Sequence, residues 1–219
     1  MVRGDVAADR MDETDATPWV PRDAGLGDLR RAALECRGCE LWRDATGTVF
    51  GEGPSDATLM LVGEQPGDRE DREGSPFVGP AGRILDRVLE TVGLRREEVY
   101  VTNAVKHFRH EERGKKRIHR KPTLAHLRAC EPWLREEIAV VRPAVMGLLG
   151  ATAARAILGH DVRIGDRRGV PEPTAFGPLA VVTAHPSSVV RERDEERRDE
   201  AFAALVADLR VAMATVEDA

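Results

Sequence analysis

Leu59-Met60-Leu61-Val62-Gly63-Glu64-Gln65-Pro66-Gly67, running on to Pro76-Phe77-Val78-Gly79-Pro80, is the stretch whose reading decides the fold. Its first four residues are apolar without alternation, the pattern of a strand buried on both faces of a parallel sheet. From Pro80, which suits the first position of a helix, Ile84, Leu85, Val88, Leu89 and Val92 recur at helical spacing until Gly93 stops them. The local order is therefore strand, glycine-rich loop, helix. In open α/β sheets ligands bind beyond the carboxyl ends of the strands, and this loop leaves from there. Glycines such as Gly63 let a ligand approach backbone N–H groups closely, Glu64 offers an acid–base or electrostatic group, and Phe77 offers a flat face for stacking.

Outward from this stretch the same alternation recurs. Residues 98–103, 144–149 and 179–184 read as three further strands. Thr123 can cap a helix carrying Leu124, Leu127, Trp133, Leu134, Ile138 and Val141, which ends at Arg142-Pro143. Residues 151–158 form a helix stopped at Gly159, and a final amphipathic helix over 197–214 turns Phe202, Leu205, Val206, Leu209 and Met213 inward. Strands separated by helices imply right-handed crossovers. The expected fold is α/β, a three-layer αβα arrangement around a central four-stranded parallel sheet. Glu64, Asn103 and His185 then leave strand ends at one sheet edge, and this convergence is the strongest pointer to a site. No internal repeat and no phosphate-loop, dinucleotide-binding or Gly-x-Ser-x-Gly pattern is present.

A length of 219 residues suits one well-filled domain, taken as 28–219. Residues 1–27 mix charge, alanine, Pro18 and Pro21 without period and read as a flexible arm, with Trp19 as a docking point. A net charge of −5 argues against a wholly basic nucleic-acid binder and leaves room for a local basic face. Such a face is offered by 105–121, where Lys106, Arg109, Arg113, Lys115, Lys116, Arg117, Arg120 and Lys121 face only Glu111 and Glu112. By composition alone an ordinary solvated charge run is an equal reading. Three cysteines make no disulfide framework. Cys36-Arg37-Gly38-Cys39 follows a short helix rather than a strand, which favours metal or cluster ligation over a thioredoxin-like role. With no signal-peptide core and no apolar run of membrane length, the expectation is a reduced, soluble, cytoplasmic monomer.

The motifs Gly63-Glu64-x-Pro66-Gly67, Glu70-Asp71, Gly74-x-Pro76-Phe77-Val78-Gly79-x-Ala81-Gly82, Thr102-Asn103-x-Val105-Lys106 and His185-Pro186-Ser187, in this order, resemble the family-four-like uracil-DNA glycosylases. Gln65, where that family usually has alanine, and the loop Gly114-Lys115-Lys116-Arg117-Ile118-His119 resemble its UdgX branch, whose members crosslink themselves to uracil-containing DNA. The resemblance implies a uracil pocket of Gly63, Phe77, Asn103 and Ser187, with Glu64, Gln65 and His185 in catalysis. His119 would bond to the sugar C1′, making the enzyme single-turnover, with Arg117 ordering the loop and Lys115, Lys116 and Arg120 holding DNA phosphates. The expected substrate is uracil-containing DNA, preferably single-stranded. The resemblance also implies a 4Fe-4S cluster on Cys36, Cys39, Cys130 and His107, the last standing where a fourth cysteine is usual; a structural zinc on the same residues is the alternative. Two other functional readings stay open at this point: a turnover glycosylase using water, and a noncatalytic nucleic-acid-binding module built on the metal ligands. His110, His126 and His160 read as surface or structural residues.

Overall fold

The computed structural model describes residues 15–218. Residues 1–14 of the expected arm lie outside the described residues. The part that follows lies against the domain: Ala16 is buried with its N–H donating to the Ala129 carbonyl at 2.8 Å, and Trp19 packs on the core.

Helix α1 (Leu26–Ala33) leads through the cysteine loop to strand β1 (Leu59–Gly63). A short helix α2 (Asp68–Glu73) lies inside the glycine-rich loop, followed by α3 (Pro80–Thr91) and β2 (Tyr100–Asn103). The basic segment then folds as an antiparallel hairpin of β3 (His110–Arg113) and β4 (Lys116–His119). Next come α4 (Leu124–Val141), β5 (Val145–Leu149), α5 (Ala151–Leu158), α6 (Ile164–Arg167) and β6 (Pro171–Pro173). Strand β7 (Leu179–Thr183), α7 (Ser187–Arg191) and α8 (Glu195–Glu217) close the chain.

The central sheet runs β2-β1-β5-β7-β6, with parallel pairing throughout except at β6, which is antiparallel to β7. The expected sheet of four strands is thus a parallel core of four with a fifth at the edge. Strand β6 is Pro-Glu-Pro, a sequence poor in donors and tolerated only where one side needs no ladder hydrogen bonds. Alternate residues of β1 feed two cores: Met60 and Val62 pack with α1, α4 and α5, and Leu59 and Leu61 with α3 and α8. Helices therefore cover both faces, and every residue of β1, β2 and β5 is buried, as their unalternating sequences require.

Thr123 caps α4 as expected, and His126 completes the cap: its Nδ1 accepts the Thr123 N–H at 3.0 Å while Nε2 meets the Glu40 carboxylate at 2.6 Å. His126 is thereby structural, tying the cysteine loop to the start of α4.

Candidate active site

A cavity of about 650 Å³ opens beyond the carboxyl ends of the parallel strands, with Glu64, Phe77, Asn103, His119, Thr152 and His185 among its lining residues. Strand ends supply Asn103 directly and Glu64 and His185 one or two residues later. Asn103 is buried, and among the described residues nothing hydrogen-bonds its side-chain amide, so both its donor and its acceptor are available to a ligand. Phe77 lies beside it in a left-handed backbone conformation (φ 57°), a strain that a bulky residue adopts only when its surroundings dictate it. Those surroundings are two glycines. A Cβ on Gly82 would lie 1.6 Å from the Phe77 carbonyl oxygen, and one on Gly63 would lie 2.3 Å from Asn103 Oδ1 and 2.5 Å from Phe77 Cζ. The Phe77 ring also stacks on His185, centroids 6.1 Å apart at 28°.

His185 is held through Nδ1, which accepts the Ser187 N–H at 3.2 Å and lies 2.8 Å from Ser187 Oγ; that hydroxyl in turn accepts from Arg191 at 2.8 Å. With Nδ1 an acceptor, the neutral ring carries its proton on Nε2. Burial pushes the His185 pKa down to about 4 against the opposing pull of Glu64, so the ring is neutral at pH 7. Glu64 uses both oxygens: Oε2 accepts from the Thr152 hydroxyl, and Oε1 lies 3.3 Å from His119 Nε2. Burial raises its pKa, but the hydrogen bonds from His119 and Thr152 and the nearby imidazoles outweigh it and hold the carboxyl below its usual range.

The hairpin delivers His119. Successive strand residues face opposite ways, so Arg117 and His119 turn toward the domain while Lys116 and Ile118 turn outward. Arg117 bonds Asp68 and Asp71, each at 2.6 Å, and Thr46 Oγ1 at 3.0 Å. Beneath the hairpin lies the buried Phe108 ring, with Arg117 5.5 Å, His110 4.9 Å and His119 6.0 Å from its centroid. Gln65, expected among the catalytic residues, spends its amide on the hairpin's base: Nε2 donates to the carbonyls of Arg109 and Arg120, both at 3.1 Å, and Oε1 accepts the Arg109 N–H at 3.2 Å. Lys115 and Lys116 are exposed and have no ion-pair partner among the described residues, whereas Arg120 is paired with Glu111. Lys106, counted in the basic run, is fully buried.

Cys36, Cys130 and His107 are buried and Cys39 partly so. The thiols lie close together: Cys36 adds to the upward shift of Cys39, and Cys36 and Cys39 to that of Cys130. Burial is nonetheless the largest cause, pushing Cys39 up to about 11 and Cys130 to about 12. Trp133 Nε1–H points at Cys36 Sγ (3.2 Å) and the Lys106 N–H at Cys130 Sγ (3.3 Å), the donors that would stabilise metal-bound thiolates. His107 Nε2 lies 3.0 Å from Thr48 Oγ1, whose proton goes to the Ala33 carbonyl; the ring therefore donates from Nε2 and keeps its Nδ1 lone pair for a metal. Among the described residues no three His, Cys, Asp or Glu side chains converge as a single ion would require. Three thiols and an imidazole are donor types that either an iron–sulfur cluster or a zinc ion accepts.

Sequence reasoning missed Thr152, Asp68 and Phe108, and gave Asp71 no role. Thr152 carried a usable signal, since it lies two residues after Gly150, just beyond a parallel strand at the same sheet edge. The others act through the hairpin, which was itself read as a loop.

Residues 50–210 match the Uracil DNA glycosylase superfamily. The chain is 38% identical to the type-4 uracil-DNA glycosylase of Thermotoga maritima over 165 residues, 75% of this chain and 82% of that protein. It is 32% identical to the type-4 uracil-DNA glycosylase of Pyrobaculum aerophilum over 184 residues, covering 80% and 90% respectively. The type-5 uracil-DNA glycosylase of that organism is also 32% identical, over 121 residues and about half of each chain.

Proposed function

Because this chain belongs to the uracil DNA glycosylase superfamily, we propose that it excises uracil from DNA and that His119 then bonds covalently to C1′ of the sugar. A base stacked in a duplex cannot reach the cavity, so the uracil must be flipped out or taken from a single strand, the preferred substrate. Asn103, with its free donor and acceptor, pairs with the uracil edge, and Phe77 covers its face. Lys115 and Lys116 hold phosphates, adding salt-sensitive affinity without base choice.

Breaking the C1′–N1 bond sends its electron pair to the uracil ring and leaves an oxocarbenium-like sugar. His185 Nε2–H donates to the departing anion, and the Glu64 carboxylate faces the positive charge on the sugar. A neutral imidazole nitrogen of His119 gives its lone pair to C1′; the resulting imidazolium is compensated by Glu64. Held at the reacting carbon, the imidazole outcompetes water by its effective concentration. An alkylated imidazole is a poor leaving group, so the protein stays attached and the reaction is single-turnover.

The observation that carries this reading is the placement of His119, turned inward to 3.3 Å from Glu64 at the cavity while its neighbours Lys115 and Lys116 face solvent. Cys36, Cys39, His107 and Cys130 would hold a 4Fe-4S cluster whose part is structural, joining the cysteine loop, the turn after β2 and α4. No described helix is long and apolar enough to cross a membrane.

The test is denaturing electrophoresis after mixing the protein with a uracil-containing single strand. A heat- and SDS-stable band is expected for wild type and is lost in His119→Ser, which releases uracil through water attack instead. Many turnovers by wild type with no shifted band would replace this reading by that of a turnover glycosylase. Equal binding of uracil and thymine strands with no base released would leave only a nucleic-acid-binding module.

A further inference from the structure

We infer that Thr152 is a positioning residue for the reaction proposed above: by holding Oε2 of Glu64 it turns Oε1 onto His119. The inference rests on that reading for the role of His119 and on geometry for the rest. A glutamate has three rotatable bonds, and a carboxylate gripped at one oxygen only is free to swing. Here one grip is firm and the other compliant. Thr152 is 4% exposed and β-branched, which restricts its χ1, and it is the second residue of α5, whose Ala153, Ala154 and Ile157 are packed in the core. The start of that helix is itself set against the His185 loop: Gly150 precedes it at φ 96°, and a Cβ there would lie 3.1 Å from His185 Cβ. His119, by contrast, has a side chain 49% exposed, on a two-stranded hairpin. Thr152 is therefore the fixed reference from which Glu64 is aimed, and the first turn of α5 adds N–H dipoles that favour an anion there.

The hydrogen bond also favours the ionised carboxyl, so its loss moves Glu64 protonation to higher pH and with it the acid limb of the reaction. The other charged or titratable groups around Glu64 are His119 from β4, His185 beyond β7, Asp68, Arg69 and Glu70 of α2, Lys121 after β4, and Arg191 of α7. Substituting Thr152 removes none of these charged or titratable groups.

The experiment compares wild type, Thr152→Val and Thr152→Ser over pH 4.5 to 8, measuring the rate of SDS-stable complex formation on a single strand containing one deoxyuridine. Binding to a strand with an uncleavable 2′-fluoroarabino uracil nucleotide is measured alongside. Thr152→Val should bind that strand as wild type does, react about tenfold more slowly at the acid end, lose less at pH 8, and show its acid limb displaced upward. Thr152→Ser, which keeps the hydroxyl, should return to within about twofold of wild type. A uniform loss at all pH values, a wild-type profile in Thr152→Val, failure of Thr152→Ser to recover, or loss of binding by both variants would each overturn the inference. Should wild type form no SDS-stable complex, the capture reading falls on its own; the same comparison is then made on uracil release, where an unmoved acid limb in Thr152→Val overturns the role of Thr152.

Discussion

Gln65→Leu separates the two halves of the proposed reaction. The substitution keeps the volume of a side chain that is 7% exposed and removes three hydrogen bonds at the base of the hairpin. The Arg109 carbonyl keeps the Arg120 N–H at 2.9 Å, so two groups lose what Gln65 gave them: the Arg109 N–H and the Arg120 carbonyl. Leaving partly buried backbone groups unpaired costs about 1–3 kcal/mol. An isolated two-stranded hairpin has little stability of its own, so that cost falls directly on the population in which His119 faces Glu64. The rate of covalent capture should fall about 5- to 150-fold. In the proposed reaction uracil release rests on Asn103, Phe77, Glu64 and His185, to whose side chains Gln65 makes no hydrogen bond, and it should fall much less. Single-turnover time courses on a uracil-containing strand, split into a denaturing gel for the crosslink and a chromatographic assay for free base, read both rates from one reaction. Capture at the wild-type rate, or equal losses of capture and release, would refute the assignment of Gln65 to the hairpin.

Two further outcomes follow from the site. Gly63→Ala places a methyl group into Asn103 Oδ1 and Phe77 Cζ; uracil release should fall by about 100-fold with the fold retained by circular dichroism, and an unaffected rate would mean that the pocket has room the geometry denies. For His185, burial is the main cause of a pKa lowered to about 4. The unfolded chain, with an ordinary histidine near 6.5, takes up the proton first, so stability is complete above about pH 6.5 and is lost as the pH falls toward 4, by up to about 3 kcal/mol. Urea unfolding of wild type and His185→Asn between pH 7 and 4.5 should show a shallower acid loss in the variant; parallel losses would exclude His185 as a source.

What the sequence disclosed was governed by burial. Strands β1, β5 and β7 are apolar runs set between glycine, proline or polar residues, and helices α3 and α5 carry both an apolar stripe and a glycine stop, so local pattern and tertiary role agree. Glu64, Asn103 and His185 were legible as a group because parallel topology sends strand ends to one edge. The hairpin was not. Its strands His-Glu-Glu-Arg and Lys-Arg-Ile-His lack an apolar alternation, being held by Gln65, Asp68, Asp71 and the Phe108 ring, partners distant in sequence. Strand β6 was hidden for the opposite reason, since its two prolines argue against a strand everywhere except at an edge.

Lys106 shows how charge counting along a chain misleads even where the segment's reading is sound. It belongs to the basic run by sequence, yet its ammonium lies between β2 and α4, bonded to the Glu137 carboxylate, to Thr102 Oγ1 at 2.7 Å and to the Asn103 carbonyl at 2.8 Å. Glu137, equally buried, also accepts from Tyr100 OH and the Gly51 N–H, both at 3.0 Å. Desolvating two charges offsets most of their attraction, so two apolar side chains of the same volume would stabilise the core about as well. Apolar side chains have no direction, whereas this pair has: the ammonium grips the carbonyl of Asn103 at one end of a turn, and the backbone N–H of the same lysine meets Cys130 Sγ near the other. The turn from 103 to 107 carries the proposed base-reading residue at its start and a candidate metal ligand at its end. What the buried pair contributes is therefore the relative placement of the two, which packing alone would leave adjustable by the width of a rotamer.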